Sequence, residues 1–472
     1  TEMSYIGKKN GFGQRFGPAT PSPYLDFLAP LAGKFERSGL SLALVRDDIK
    51  KNMSSKSSEP TDLLYQEAKR RTLRAFMLDK PVPMIHLNDV FQEDLPIWSS
   101  SPGLPWMQCG YRTKNDIRRD PDAINRIRHF WHRIKCFENV HLPDCCAYVR
   151  THIVERGETK VRAVWGYPAT VTFGEAVFAL PLIQAYKKGG YPIAYGFETG
   201  NAGCKKMFHG MKGAHYLGID FTSFDKTLPP WLVSTAFDIL AYNIDFLHYR
   251  DHGIARVKSM VHMFNVIKDY AINTKIRMCN GERYIKKSGL ASGSYFTQLV
   301  GSVCNYLLLT YAMLQLNVEI NDILVFGDDS ILAVNTTVHP DDVQEVLLPL
   351  DMTVNVKKSG SSKYISNLTF LGYKICDGIP TRDREKQFAA IVWPERPDKC
   401  WDDVASRCFG IMYANFGVDP VVDFWCRRVV NFRPFDLHMT RDQQRFLDLL
   451  GLKPTTVPTM HDLSQRIGFL AV

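Results

Sequence analysis

Alternating apolar and polar residues predict several strands that end close to charged residues. The segment NDILVFGDDSILAVNT (321–336) has two short apolar runs around a Gly-Asp-Asp turn, which is typical of a β-hairpin. HYLGIDFTSFDKTLPPW (215–231) predicts a strand that ends at Asp220, with Asp225 five residues later. YVRTHIVERGETKVRAVWGYP (148–168) predicts two strands around an Arg-Gly-Glu turn, with basic residues on both arms.

A long uncharged stretch predicts a buried helix. No charged residue lies between Lys287 and Glu319, and QLVGSVCNYLLLTYAMLQL within it resembles a membrane span. Its polar side chains would be costly in lipid, so a helix buried on nearly all sides inside a large protein is the better interpretation. Helical periodicity also covers 121–137 and 232–268, whereas residues 1 to 51, rich in Gly, Pro and Lys, look extended.

Composition limits the class of protein. The 472 residues are 45% hydrophobic and 23% charged, which excludes a disordered chain and allows a large core. A net charge of +9 favours a polyanionic partner, although a basic surface kept for solubility explains the charge as well. Eleven cysteines without a CxxC motif indicate a reducing compartment, and we expect no secretory signal.

The acids at the predicted turns are candidates for a metal site. Asp220 ends a strand, and Asp328 and Asp329 occupy the hairpin tip. Two divalent ions about 3.5–4 Å apart, held by hard oxygen ligands, support in-line phosphoryl or nucleotidyl transfer. Each acid alone also fits a solvated turn, so the order and spacing of the set carry the prediction.

A Ser-Gly loop lies between the two groups of acids. SGLASGSYFTQLVGSVCN (288–305) predicts a flexible loop at a helix start, where free N–H groups and hydroxyls suit phosphate or ribose oxygens. A plain Gly-Ser turn that caps a core helix is the alternative for this segment on its own.

The ordered set resembles the motifs of viral RNA-dependent RNA polymerases. It consists of Asp220-x4-Asp225, then Ser-Gly-x3-Thr with Asn305 eight residues after Thr297, then the Gly-Asp-Asp of 327–329. DFTSFDKTLP, SGSYFTQLVGSVCN and VFGDDS look most like the polymerases of small bisegmented double-stranded RNA viruses, the picobirnavirus and partitivirus group. The resemblance runs from about residue 98 to 373.

The resemblance implies a closed right hand of fingers, palm and thumb, classed as α+β. The implied palm has an antiparallel sheet flanked by helices, and the thumb is mostly helical. The expected bounds are 1–213 for an N-terminal extension and fingers, 214–239 and 288–374 for the palm, 240–287 for a fingers insertion, and 375–472 for the thumb.

The resemblance also implies metals and their ligands. Asp220 and Asp328 would be the main ligands of two Mg²⁺ ions, for which Mn²⁺ could substitute, with Asp329 as a secondary ligand. Lys358, preferred to Lys357 by its place before Ser359, would protonate the pyrophosphate leaving group.

Further residues are implied to bind the nucleotide and the RNA. The nucleotide set is Lys160, Arg162, Asp225, Ser292, Thr297 and Asn305. The RNA set is Arg150, Ser100, Ser101, Gly103, Gly293, Phe370, Leu371 and Gly372. In many positive-strand relatives an Asn that senses the ribose stands four residues after the Thr, where this chain has Gly301. The contact of Asn305 with Asp225 or with the ribose is therefore open.

The implied partners are template and product RNA, ribonucleoside triphosphates and a capsid protein, without membrane insertion, in the virion interior or the host cytoplasm. Three other classes explain less. A reverse transcriptase or DNA polymerase would have an aromatic gate where this chain has Asp225. A metal nuclease or phosphatase explains the acids but not Lys160, Arg162 and the Ser-Gly loop, and an RNA-packaging protein needs no paired acids.

Overall fold

The computed structural model describes residues 4–53 and 55–469. The helices are Leu42–Lys50 (α1), Leu63–Ala75 (α2), Leu87–Val90 (α3), Lys114–Arg118 (α4), Pro121–Lys135 (α5), Ala169–Lys187 (α6), Gly203–Gly210 (α7), Phe224–Thr227 (α8), Pro230–Ala241 (α9), Val257–Ile272 (α10), Thr297–Gln315 (α11), Pro340–Leu347 (α12), Arg384–Val392 (α13), Trp401–Asn415 (α14), Pro420–Phe432 (α15), Arg441–Leu449 (α16) and Met460–Arg466 (α17). The strands are Tyr5–Lys8 (β1), Phe35–Arg37 (β2), Val82–Met84 (β3), Cys145–Thr151 (β4), Ile153–Glu155 (β5), Val161–Gly166 (β6), His215–Gly218 (β7), Phe221–Thr222 (β8), Ile244–Tyr249 (β9), Lys275–Arg277 (β10), Glu282–Ile285 (β11), Ile320–Phe326 (β12), Asp329–Val334 (β13), Thr353–Val354 (β14), Gly360–Ser362 (β15), Thr369–Phe370 (β16) and Tyr373–Lys374 (β17).

A four-stranded sheet, which we call the central sheet, contains the predicted hairpin. Its strand order is β12-β13-β7-β15, and each neighbouring pair is antiparallel. The hairpin closes with Phe326 opposite Asp329, and Leu332 lies opposite Leu217 on β7. Because β13 is apolar and buried along most of its length, it occupies the middle of the sheet and fixes the register of its neighbours.

Helix α11 confirms that the uncharged stretch is a core helix. Thirteen of its 19 residues are buried, and it packs against α2, α9 and β12. Only α6 within 4–53 and 55–469 is long and apolar enough, by length and composition, to span a membrane, and 83% of its apolar window is buried in the protein. Both helices therefore present apolar side chains to the protein interior on nearly all sides.

A second sheet of five strands has the order β1-β11-β10-β4-β6. Strands β4 and β6 are antiparallel and are joined through β5 and a turn, as the sequence predicts for 148–168. Their register places Arg150 directly opposite Arg162. Like charges on facing positions repel, so these side chains need anionic partners or water.

The N-terminal residues do not form the purely extended segment that their composition predicts. Ser41 Oγ accepts a hydrogen bond from Leu44 N (3.2 Å) and begins α1, whose buried side chains include Val45 and Ile49. This prediction was wrong because two apolar residues four positions apart are enough to dock a short helix, although polar residues surround them. The preceding 3₁₀ helix, Asp26–Ala32, packs against α13.

Candidate active site

The central sheet brings the acid after β7 to the tip of the Gly-Asp-Asp hairpin. A hydrogen bond from Ile219 N to Ser330 Oγ (3.3 Å) continues the pairing of β7 with β13. Asp220 therefore lies beside Asp329, one residue from Asp328. The main chain of Asp220 is held by two further hydrogen bonds, from its N to Ser359 Oγ (2.9 Å) and from Asn355 N to its carbonyl oxygen (2.7 Å).

Side chains of helix α11 bind the main chain of the hairpin tip. Gly327 has a φ of +60°, a conformation that favours glycine, and its N–H donates to Ser302 Oγ at 2.8 Å. The Asn305 side-chain amide donates to the carbonyl oxygens of Gly327 and Asp329, both at 3.0 Å. The turn that presents Asp328 is thus fixed by side chains one helical turn apart on α11.

The acids perturb each other's ionisation. Desolvation raises the pKa of Asp328, the Arg162 charge opposes this shift, and the neighbouring Asp220 carboxylate raises it further. Burial and the charge of Asp328 raise the pKa of Asp329 to about 7. Desolvation also raises the pKa of Asp220, against the charges of Lys358, Lys160 and Arg162. Negative charge is therefore concentrated here and only partly compensated by the chain's own cations.

This donor set fits a hard divalent cation. In the part of the chain that the structure describes, no three acids, His or Cys converge as a closed metal cage. Mg²⁺ is usually held by one or two carboxylates, with water and substrate phosphate oxygens completing its octahedron. Asp220 and Asp328 supply such a pair, whereas Asp329 Oδ2 is engaged by Leu371 N (3.0 Å), which leaves Asp329 one fewer free oxygen.

Asp225 lies on the short helix α8 beside this pair. Burial and the charge of Asp328 raise the pKa of Asp225 to about 7. Its carboxylate accepts no hydrogen bond from residues 4–53 or 55–469, so the side chain is available to a ligand. The sequence left open whether Asn305 contacts Asp225. In the structure the Asn305 amide binds the hairpin instead, and Ser292 Oγ accepts a hydrogen bond from Trp165 N (3.0 Å).

The Ser-Gly loop packs between Asp225 and β6. Leu290 N donates to the Asp225 carbonyl oxygen at 2.7 Å. A Cβ on Gly293 would lie 2.0 Å from the Trp165 carbonyl oxygen, so the loop approaches β6 more closely than a side chain allows. Thr297 does not project a free hydroxyl, because its Oγ1 donates to the Ala291 carbonyl oxygen and closes the loop onto α11.

Lys160, immediately before β6, and Arg162, on β6, direct positive charge toward the acids. Burial raises the pKa of Asp220, and the charges of Lys160 and Arg162 oppose this shift; Arg162 opposes the corresponding rise in the pKa of Asp225. Arg150, on the facing strand, is in contact with two acids from the C-terminal part: its Nε lies 3.8 Å from Glu395, in the loop after α13, and 3.6 Å from Asp442 on α16.

The comparison with protein families identifies the chain. A model described as "Viral RNA-dependent RNA polymerase" matches residues 29–406, which is most of its length. The chain belongs to this family. The resemblance found in the sequence motifs is thereby confirmed, and family members use divalent metal ions.

Several curated relatives of this chain carry the name "RNA-directed RNA polymerase". That of Cryptosporidium parvum virus 1 is 26% identical over 67% of this chain and 62% of its own length. That of Atkinsonella hypoxylon virus is 24% identical over 60% and 50%, and that of White clover cryptic virus 1 is 23% identical over 57% and 48%. The chain thus spans about half to three fifths of the length of these relatives.

A solved structure confirms the polymerase fold. The Sicinivirus 3Dpol RNA dependent RNA polymerase matches 94% of this chain and 100% of its own, with a TM-score of 0.67 and 15% identity. At this identity the likeness concerns the fold alone. The α+β right hand that the motifs predict is therefore confirmed.

The loop that the resemblance predicts to steer the template is held by hydrogen bonds within the protein. Ser100 Oγ donates to the Ile97 carbonyl oxygen at 2.6 Å, and Ser101 Oγ lies 2.5 Å from the Tyr148 hydroxyl. Gly103 has a φ of +65° and approaches the Tyr167 carbonyl oxygen so closely that a Cβ would lie 2.7 Å from it. These hydroxyls shape the loop, and most of its main-chain groups are also engaged, because the carbonyl oxygens of residues 100–103 all accept hydrogen bonds within the protein.

The polymerase's FLGY hairpin joins β16 to β17 next to Asp329. Leu371 and Gly372 have φ values of 51° and 84°, as in a type I′ turn. Leu371 N donates to Asp329 Oδ2, which connects this turn to the Gly-Asp-Asp hairpin. Phe370 is 1% exposed, so its side chain packs in the core and does not face RNA as the motif implied.

Several supporting residues were not among the predicted site residues. Ser302, Asn355 and Ser359 hold the main chain of the acidic segments. Asp48 and Asn52, from the N-terminal segment, bind residues next to Arg162, Asp225 and the Ser-Gly loop. These contacts join residues that are distant in sequence, so only Ser302, five positions after Thr297 on the same predicted helix, carried a local signal.

Proposed function

We propose that the protein is an RNA-dependent RNA polymerase, which copies an RNA template from ribonucleoside triphosphates and releases pyrophosphate. The observation that carries the proposal is the meeting of Asp220 with the Gly-Asp-Asp hairpin under the charges of Lys160 and Arg162. The family and the viral origin of the named relatives support transcription and replication of a double-stranded RNA genome. The fold, the acids and the basic side chains would then all contribute to nucleotidyl transfer.

Two Mg²⁺ ions, or Mn²⁺ in their place, would be held mainly by Asp220 and Asp328, with Asp329 secondary. When bound, such ions lower the pKa of an attacking hydroxyl and neutralise the triphosphate and its leaving group. The engagement of Asp329 with Leu371 N supports its secondary rank.

Other side chains act on the nucleotide directly. Lys160 and Arg162 bind the triphosphate, whose negative charge matches their own positive charge. Lys358 donates a proton to the departing pyrophosphate. Its charge lowers the pKa of Asp220, which supports Lys358 over Lys357 because it indicates that Lys358 faces the acids.

Asp225 selects the sugar by accepting a hydrogen bond from the 2′-OH. Its carboxylate lies beside Asp328 and accepts no hydrogen bond within the residues that the structure describes, which supports this role. An aromatic gate at this position would favour a deoxyribose, so the acid also argues against a reverse transcriptase. Asn305 and Thr297 support the site through main-chain contacts, and Ser292 does so through β6.

The RNA would follow the surfaces around these residues. Ser100, Ser101 and Gly103 form a loop that steers the template backbone, Gly293 and Arg150 line its path, and the Leu371–Gly372 turn holds the product's 3′ end. The palm would comprise 214–239 and 288–374, between fingers at 1–213 and 240–287 and a thumb at 375–472. The protein would act in a virion or in the host cytoplasm, with a capsid protein as partner. Helices α6 and α11 would serve as core helices and not as membrane spans.

A primer-extension assay tests the function. The purified protein, an RNA template with an annealed RNA primer, and labelled ribonucleotides or deoxyribonucleotides are combined with Mg²⁺. We expect template-dependent incorporation of ribonucleotides, and loss of several orders of magnitude in Asp328→Ala, because metal ligands act in the transition state. Asp328→Ala should keep the wild-type melting temperature and RNA affinity, since a hairpin-tip acid contributes little to the core. Incorporation by Asp328→Ala above a tenth of wild type would contradict the assignment.

A further inference from the structure

Helix α1 and the turn after it, residues 42–53, contact three separate segments; we call this part the N-terminal bracket. Asp48 Oδ2 accepts a hydrogen bond from Ala163 N at 2.7 Å and lies 2.7 Å from Lys226 Nζ. The Asn52 carbonyl oxygen accepts from Lys287 N (2.7 Å) and Ser288 N (2.9 Å). The Asn52 side-chain amide also donates to the Ser288 carbonyl oxygen at 3.2 Å.

Each contact lies next to a residue that the proposed function places on the nucleotide. Ala163 follows Arg162, which binds the triphosphate. Lys226 follows Asp225, which senses the sugar. Ser288 begins the Ser-Gly loop, whose Leu290 in turn donates to the Asp225 main chain at 2.7 Å. Two side chains of one short helical segment therefore connect the three walls of the nucleotide site.

Both side chains are buried in the bracket. Asp48 is 4% exposed and Asn52 is 0% exposed, and the Lys226 side chain is 12% exposed. A buried carboxylate is strongly destabilising unless it is paired and hydrogen-bonded, and removing one partner leaves the other unsatisfied. The geometry of these contacts is thus fixed within narrow limits, because each group needs its partner at hydrogen-bond distance.

We propose that Asp48 and Asn52 are positioning residues for the incoming ribonucleotide, which set the separation between Arg162 and Asp225. The inference rests on the proposed function. Neither residue touches the nucleotide: Asp48 acts through the main chain of β6 and through Lys226, and Asn52 acts through Ser288. A displacement of β6 relative to α8 would separate the triphosphate-binding cation from the sugar-sensing acid. The KM for the nucleotide and the preference for ribose should change more than kcat.

The test is primer extension by four proteins: the wild type, Asp48→Asn, Asn52→Ala and a matched control variant. Asp48→Asn keeps an acceptor for Ala163 N but removes the charge that pairs with Lys226. We expect KM for the ribonucleotide to rise roughly ten-fold, with kcat within about three-fold of wild type. Asn52→Ala removes only the amide contact with Ser288, and we expect a smaller rise of roughly two- to five-fold. The ratio of kcat/KM for ribo- over deoxyribonucleotide should fall in both variants.

Asp144→Asn is the control for burial alone. Asp144 is also 4% exposed and binds Arg277 and Arg283, at 3.2 and 2.6 Å, in the five-stranded sheet. It should lower the melting temperature as Asp48→Asn does but leave KM unchanged. If Asp48→Asn and Asn52→Ala only lower the melting temperature, as Asp144→Asn does, the positioning role is wrong. If Asp48→Asn does not fold, the KM of Asn52→Ala decides. Absence of extension by the wild-type protein would instead contradict the proposed function.

Discussion

The Asn305 side-chain amide donates a 3.0 Å hydrogen bond to the carbonyl oxygen of Gly327, at the turn that presents Asp328. A second bond of 3.0 Å reaches the Asp329 carbonyl oxygen. One buried amide on α11 therefore determines the shape of the Gly-Asp-Asp turn, and it does so without a hydrogen bond to Asp225.

Asn305→Ala should lower kcat for ribo- and deoxyribonucleotides by the same factor. The loss of two buried hydrogen bonds costs about 1–3 kcal/mol, so a roughly ten- to hundred-fold decrease follows if the turn relaxes. The ratio of kcat/KM for the two sugars should stay at its wild-type value. A selective gain of deoxyribonucleotide incorporation would contradict this result and restore the contact with the ribose that the motif suggested.

Asp225→Ala should have the opposite signature. An unpaired buried polar group costs about 1–3 kcal/mol, so the wild-type site rejects a deoxyribonucleotide by roughly ten- to a hundred-fold through this contact. Removing the carboxylate should abolish this preference and affect the maximal rate with a 2′-deoxy substrate much less. The same kcat/KM ratio measures it, and an unchanged ratio would exclude Asp225 from sugar selection.

The contrast between these residues shows what the sequence could predict. Asp220, Asp328 and the hairpin could be predicted because the alternation of apolar and polar residues and the glycine at the turn are local features of the sequence. The order of the motifs along the chain added to this prediction. The direction of the Asn305 amide was not, because it depends on how far α11 lies under the hairpin. Likewise, the contact of Arg150 with Glu395 and Asp442 joins residues more than 240 positions apart, and no pattern of neighbours encodes it.

Lys358→Ala should lower kcat much more than Lys357→Ala. Loss of a general acid reduces rates by roughly 10²–10⁴-fold. The two lysines are adjacent and exposed, so the pair controls for charge and for local structure. Single-turnover incorporation measures the chemical step directly. Equal losses in both variants would indicate that the segment contributes only positive charge.

Gly293→Ala should weaken nucleotide binding and stability together. Its Cβ would lie 2.0 Å from the Trp165 carbonyl oxygen, so the loop or β6 must move, at a cost of about 1–3 kcal/mol. Gly210→Ala is the matched control, because no atom lies within 4 Å of its added Cβ and alanine favours a helix. Thermal unfolding and the KM for a ribonucleotide check both. A Gly293→Ala protein with wild-type values would show that the loop adapts without cost.

Glu175→Gln should change the pH dependence of stability. Glu175 is 0% exposed on α6, and burial raises its pKa to about 8, although Ser294 Oγ and Tyr295 N donate to it. Because the folded-state pKa lies above the unfolded value of about 4.5, the stabilisation is complete below about pH 4.5 and is lost as the pH rises to about 8.

Relative to Glu175→Gln, wild type should therefore lose at most about 1.4 kcal/mol of stability per pH unit between pH 5 and 8 and then level off. Melting temperatures of both proteins across pH 5–9 measure the difference, with the exposed Glu158→Gln as control. The buried groups that face Glu175 are Tyr167, Cys145 and Tyr295, whose pKa values are raised above the ordinary range, so all three stay neutral in this window. Parallel curves for wild type and Glu175→Gln would show that Glu175 does not titrate there.

The N-terminal chain connects two parts of the fold that are distant in sequence. β1 pairs with β11 in the five-stranded sheet, and further along the chain Ser22 N donates to the Val392 carbonyl oxygen of α13 at 2.7 Å. One covalent segment thus links the five-stranded sheet to the C-terminal helices. The two parts of the fold can therefore move far apart only if the pairing of β1 or the Ser22 contact breaks.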